Sequence, residues 1–303
     1  MSFSIGLRFY KITIRRKRDE QPLPIGPSCE PVDLYDFLSD FISRKQAPTE
    51  EVEELRTWYF EPKPTPSIRT LHGYLHYGTH GFESKLKDNK TKKEKYKRLS
   101  TDVEEVPLYY QFWVPSGSDF AIFGFQSFAG RSCINFVRSS ITKSFSYQFE
   151  NHLIAFKAII PANAGLGDAP VKSIVLRRSS NRADKSDTYR LGRHATNVEI
   201  DLTVRARGRN SFLGTYKELK GFLSGEEGSQ VVEFDGEEYT SARADVKFGG
   251  RRRIVGVFGS GVDAGVIEAS DKVKRGPDGH PVFDSIASEV DQLMEDFYAG
   301  IKT

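Results

Sequence analysis

The chain is poor in the features that most quickly sort a protein into a class. It has two cysteines, Cys29 and Cys133, in unrelated contexts, which excludes a disulfide framework and a cysteine-built zinc site and leaves two free thiols. No run approaches the roughly 18 consecutive apolar residues that a membrane-spanning helix needs. The start, "MSFSIGLRFYKITIRRKR", sets its charges after a strand-like segment instead of before an apolar core, so an unprocessed, cytoplasmic chain is expected. No internal repeat is visible, and a formal net charge of +3 names no partner by itself.

Nucleotide-binding and nucleophile motifs are missing as well. Gly259, Gly261 and Gly265 in "GVFGSGVDAGV" are spaced G-x-G-x-x-x-G, one residue away from the dinucleotide fingerprint, and no sustained helical pattern follows. No Gly-Lys-Ser/Thr completes a phosphate loop. Phe258 stands where a nucleophile elbow around Ser260 requires glycine. No cofactor is therefore expected.

What the chain does have is core material, 22 Phe and 13 Tyr in 303 residues, enough for one large or two smaller domains. "FSIGLRFYKITIRR" alternates Ile5, Leu7 and Phe9 in strand fashion. "DLYDFLSDFI" predicts a helix capped by Asp33, with Leu34, Phe37, Leu38 and Phe41 on one face. "VPLYYQFWVPSGSDFAIFGFQSFAGRS" predicts an aromatic hairpin turning at "PSGSD", followed by a helix capped by Ser132. After "ANAGLGDAP", "KSIVLRR" and "TNVEIDLTVRAR" read as strands. "SFLGTYKELKGFL" reads as a helix striped by Phe212, Tyr216, Leu219 and Leu223, and "SIASEVDQLMEDFYAGI" as an acidic amphipathic one. Strands segregated from helices predict an α+β fold with mixed or antiparallel sheets in two lobes, residues 1–162 with a basic arm and residues 163–303.

The charge distribution is more informative than its sum. Residues 85–98 carry eight basic residues against two acidic ones, a local charge of +6, and residues 172–209 carry ten against four, again +6. Basic tracts neutralise phosphates, so Lys90, Lys92, Lys93, Lys95, Lys97, Arg98, Arg177, Arg178, Arg205, Arg207, Arg251, Arg252 and Arg253 are the candidate nucleic-acid contacts. With few apolar neighbours, the lysine tract is expected to be a mobile arm. A solvated, functionless charge run is the alternative.

Two further constellations compete. Asp245-Val246-Lys247, with Asp235 ten residues earlier, has the spacing of the PD-(D/E)xK nucleases, whose carboxylates hold Mg²⁺ while a lysine assists the attacking water. No proline precedes Asp235, and D-x-K is short enough to arise by chance. His72, His76 and His80, with Glu83, could hold zinc if they were helical. Gly73, Gly78 and Gly81 with Tyr74 and Tyr77 favour a strand instead, and no metal is expected.

The order of the aromatic hairpin, the following helix, "HLIAFKAIIP" and "GPDGHPVFDSIASEVDQLMEDF" resembles a loose group of uncharacterised bacterial phage-defence proteins and, more distantly, the RexA group of prophage exclusion proteins. The resemblance is one of layout. It implies a cytosolic abortive-infection component that binds phage nucleic acid and acts through a partner, and it assigns no residue. The expectation is thus a non-catalytic nucleic-acid-binding protein, DNA or RNA, with a nuclease or a protein-interaction module as alternatives; the last would dock a second copy or an effector on the acidic C-terminal helix.

Overall fold

In a computed structural model, the structure describes residues 4–27, 29–51, 55–65, 67–159, 167–180, 198–208, 211–223, 232–234, 237–248, 251–258 and 266–302. The chain forms two compact units, one of Tyr10–Lys157 and Arg275–Ala287, the other of Met1–Phe9, Ala158–Lys274 and Ser288–Thr303. The architecture is α+β with antiparallel sheets. Two elements contribute to both units. Strand β1 (Ile5–Arg16) is shared at its start, and the C-terminal helix is shared at its first turn, which no single cut in the sequence describes.

The unit of Tyr10–Lys157 holds α1 (Leu34–Ser43), β2 (Thr49–Glu51), β3 (Arg56–Lys63), β4 (Thr70–Thr79), β5 (Ser84–Lys87), β6 (Glu94–Arg98), β7 (Glu104–Trp113), β8 (Ala121–Phe128), α2 (Ile134–Gln148) and β9 (His152–Ala158). Its sheet runs β1-β8-β7-β4-β3-β2, with β9 beside β1; β5 and β6 form a separate two-stranded ribbon. Alternation decides the faces. Trp58, Phe60, Leu75, Leu108, Tyr110, Phe112 and Phe123 are buried, each such side chain contributing about 1.5–3 kcal/mol, while Tyr59, Glu61, His76 and Glu105 share the other face.

The helices cover the first face. Phe37 of α1 meets Phe145 of α2 edge-on at 5.1 Å, and Phe41 meets Phe60 at 6.2 Å. As expected, Asp33 caps α1, accepting from the Tyr35 amide at 2.9 Å. It also receives a half-buried bidentate pair from Arg69, at 2.6 and 2.7 Å. Burial would raise the Asp33 pKa, but Arg69 and the Tyr35 amide outweigh it and hold the carboxyl below its ordinary value. Arg69 itself sits at φ 56°, a left-handed conformation these contacts hold in place. The cap expected at Ser132 falls instead at the buried Cys133, whose side chain makes no cap bond.

The other unit holds β10 (Val171–Ser180), β11 (Val198–Arg205), α3 (Tyr216–Leu223), β12 (Val232–Phe234), β13 (Glu237–Tyr239), β14 (Ser241–Phe248), β15 (Arg251–Phe258), β16 (Ile267–Glu268) and most of α4 (Phe283–Lys302). Its sheet runs β11-β10-β14-β15-β16-β1. Phe297 of α4 packs on Phe9 at 5.1 Å and Phe248 at 5.5 Å, and Val290 and Leu293 are fully buried beside it. Helix α3 starts later than its apolar spacing suggests. A reciprocal Thr215–Glu218 capping box fixes its first turn, the Glu218 carboxylate accepting from the Thr215 amide at 2.8 Å, so Phe212 lies outside the helix and half exposed. No helix of the described residues is long and apolar enough to cross a membrane.

Candidate nucleic-acid interface

The lysine tract is a built element, not an unpaired arm. β5 and β6 pair antiparallel through Ser84↔Arg98, Lys85↔Lys97, Leu86↔Tyr96 and Lys87↔Glu94, with Lys95 as the extra residue of a bulge. Asp88 makes the turn: its carboxylate accepts from the Lys90 amide at 2.9 Å and the Thr91 amide at 2.8 Å, and Lys92 follows at φ 60°. Lys95 reaches the same carboxylate at 2.8 Å, and these contacts, Lys95 foremost, lower the Asp88 pKa to about 2. None of this needs a hydrophobic core, which is why a tract too polar to fold back onto one still acquires structure.

An isolated hairpin is only marginally stable, so the root matters. Gly81, at φ 95°, donates to the Ser100 carbonyl at 2.8 Å and extends the pairing below Ser84. Arg98 is the anchor. Its buried guanidinium binds Glu104 at 2.9 Å and donates to the Thr79 and Asp102 carbonyls, so this candidate phosphate ligand is committed inside the protein.

Register sorts the remaining side chains. Lys85, Lys87, Lys97 and Glu94 share one face, where Lys85 pairs with Glu94 at 3.1 Å and Lys97 with Glu83 at 2.9 Å. Leu86 and Tyr96 lie opposite each other on the second face, 54% and 50% exposed. Lys92 donates to the Asn89 side chain at 3.2 Å. Lys87, Lys90 and Lys93 are exposed and have no ion-pair partner among the described residues. Free positive charge is therefore concentrated at the tip.

The second basic segment is organised differently. Arg177 forms a bidentate pair with Asp201, directly across the β10–β11 ladder, at 2.8 Å through both bonds. That pair holds the Asp201 pKa below its ordinary value. Arg178 is buried, with its guanidinium 5.7 Å from the Tyr239 ring. Arg205 and Arg207 are exposed and make no ion pair among the described residues. On β15, Arg251 pairs in register with Phe248, and Arg252 is exposed, 3.9 Å from Asp245. Arg253 is 2% exposed and bound to Glu289 of α4, which removes it from any surface contact and also buries one carboxylate of the acidic helix.

Asp245 and Lys247 stand two apart on β14, so they share a face, while Asp235 lies outside the described residues. His72 and His76 share a face of β4, with His80 just beyond it. His72 donates from Nε2 to the Pro64 carbonyl at 3.0 Å and meets the Tyr109 hydroxyl through Nδ1 at 3.2 Å. His76 places Nε2 2.7 Å from Glu61 and Nδ1 2.8 Å from Glu105, and stacks on Tyr59 at 4.6 Å. Lys63 first, and His76 second, hold the Glu61 carboxyl below its usual range. Among the described residues, no group of three His, Cys, Asp or Glu side chains is placed to hold a metal ion. A cavity of about 280 Å³ lies between α1 and the β3–β4 strands, lined in part by Tyr35, Ser39, Lys63, Thr70 and Tyr110.

The residues that charge counting missed are Asp88, Leu86, Tyr96 and Phe82, the last 51% exposed under the Arg98 guanidinium at 4.2 Å. The signal was present as alternation, "KLK" and "KYK" around an Asp-Asn turn. The chain matches no protein-family model and none of the curated proteins it was compared with.

Proposed function

We propose that this protein binds nucleic acid without acting on it chemically, and that the tip of the β5–β6 ribbon makes the contact. The observation that carries this is the set of ammonium groups of Lys87, Lys90 and Lys93, without an ion-pair partner among the described residues, at and beside the turn that Asp88 braces. A polyanion gains from such a cluster by releasing its own counterions, and the lysines give up no internal partner when they bind. Arg98 and Arg253 leave the contact set because each is buried in an ion pair. Arg205, Arg207 and Arg252 are exposed and remain candidates for a second contact. The layout resemblance to phage-defence proteins supports a cytoplasmic antiviral setting for this binding.

The test is fluorescence anisotropy with labelled DNA and RNA across a salt series. Changing Lys90, Lys92 and Lys93 together to Ser is expected to weaken binding and to flatten the log–log salt slope by about 2 on a single strand or about 2.7 on duplex DNA, at roughly 0.7 or 0.9 per lost phosphate contact. Unchanged affinity in that variant removes the ribbon tip from the function.

A further inference from the structure

Resting on that reading, we infer that the preferred partner is a single strand, whose unpaired bases stack on the open rings of Tyr96 and Phe82 while its phosphates meet the lysine tip. The two faces of the ribbon are not equivalent. On the lysine face, Lys85 and Lys97 are already matched by Glu94 and Glu83, so a duplex laid there would bring its phosphates against two carboxylates. On the opposite face, Leu86 and Tyr96 leave about half of their surface to solvent, and Phe82 does the same beside Arg98. Three half-exposed apolar side chains along so short a ribbon gain nothing from a duplex, whose bases hide their flat faces within the stack. A single strand offers those faces, and stacking on an aromatic ring is tolerant of sequence.

Tyr96 is also prepared for this role. Its hydroxyl donates to the Asp102 carboxylate, which additionally accepts the Leu99 amide at 2.7 Å. The Tyr96 hydroxyl, then the Leu99 amide, hold the Asp102 pKa below its ordinary value against the opposing effect of burial, with Arg98 adding the least. The ring is thus fixed at one end with its face left open, so little rotamer freedom remains to be lost on binding. Arg98 serves the platform from behind: its guanidinium, locked by Glu104, rests on Phe82 and sets that ring. The positive tip selects a polyanion, and the aromatic face selects among polyanions.

The experiment compares labelled dT15, a 15-base-pair duplex and phosphatidylserine vesicles as ligands of the full chain. The single strand is expected to bind tighter than the duplex. Tyr96→Ala is expected to lower dT15 affinity about fivefold or more, the contribution of one stacked base, with duplex affinity unchanged and with Tyr96→Phe retaining most of the wild-type value. Because removal of the ring could loosen the ribbon, Tyr96→Trp gives a second readout. Trp58 is fully buried and Trp113 only partly exposed, so the introduced indole is the most accessible one, and dT15 should quench it where duplex does not. Wild-type dT15 affinity in Tyr96→Ala and Phe82→Ala, with binding lost in the lysine variant, overturns the stacking inference and leaves the phosphate tip standing. Binding that survives all of these changes overturns both. Capture by vesicles with no affinity for dT15 makes a membrane surface the occupant and overturns the inference as well.

Discussion

Residues 85–98 and residues 172–209 carry the same net charge of +6, yet the fold uses the two differently. In the β10–β11 ladder, register sets Arg177 directly opposite Asp201, and Arg178 is buried beside Tyr239. Lys172 of the same segment donates to the Gly208 and Ser211 carbonyls at 2.5 and 2.9 Å. In the β5–β6 ribbon, register sets Lys85 directly opposite Lys97, an unfavourable like-charge pair that Glu94 and Glu83 relieve from the side. Those two carboxylates are spent on that pair, and Asp88 is spent on Lys95. Toward the turn, positive charge outnumbers its partners and faces water. A segment's charge is additive over sequence; the charge a phosphate meets is what register and burial leave over.

The largest way to break this contrast lies in the most deeply committed arginine. Arg253→Ala breaks the buried ion pair with Glu289 and is expected to cost about 3–5 kcal/mol in urea unfolding, whereas changing Lys90, Lys92 and Lys93 to Ser should stay within about 0.5 kcal/mol. Comparable losses from the two would erase the distinction between structural and free cations. A smaller effect is expected at Arg177→Ala. Its bond to Asp201 is more than one-third exposed on both sides, so screening limits the cost to about 1 kcal/mol at most, and nucleic-acid affinity should not move. A drop in affinity there would show that the β10–β11 surface shares the binding.

The smallest effect is local and depends on acidity. Asp88 is lowered to about 2 in the folded turn, against about 3.9 in an unfolded chain, so its carboxylate supports the turn fully above about pH 4, and that support fades as pH falls toward 2. The Lys90 and Thr91 amide shifts, followed by NMR, should therefore titrate with a midpoint near 2. A midpoint near 4 would mean that Asp88 does not hold the tip.

Much of the fold could be read directly from the residues. The alternation of Ile5, Leu7 and Phe9, the Asp33 cap and the stripe of Ile286, Val290, Leu293 and Phe297 each predict the element that forms, because period and capping are local properties. The errors fall where a distant or reciprocal partner decides. Glu218 moves the start of α3 past Phe212, and Arg69, 36 residues from Asp33, turns a helix cap into a half-buried clamp. At the candidate site, the lysines were legible and the aromatic platform was not, since Tyr96 reads as one more residue of a charged tract until Leu86 is set opposite it.

The sequence by itself determined where most strands and helices form and where the charge is concentrated. Those properties depend on neighbours within a few residues. Only the tertiary structure decided which cations are spent, since pairing Arg253 with Glu289 or rooting Arg98 on Glu104 depends on which groups come within about 4 Å of each other. At that distance, and shielded from water, opposite charges bind each other strongly enough to be lost to any outside partner.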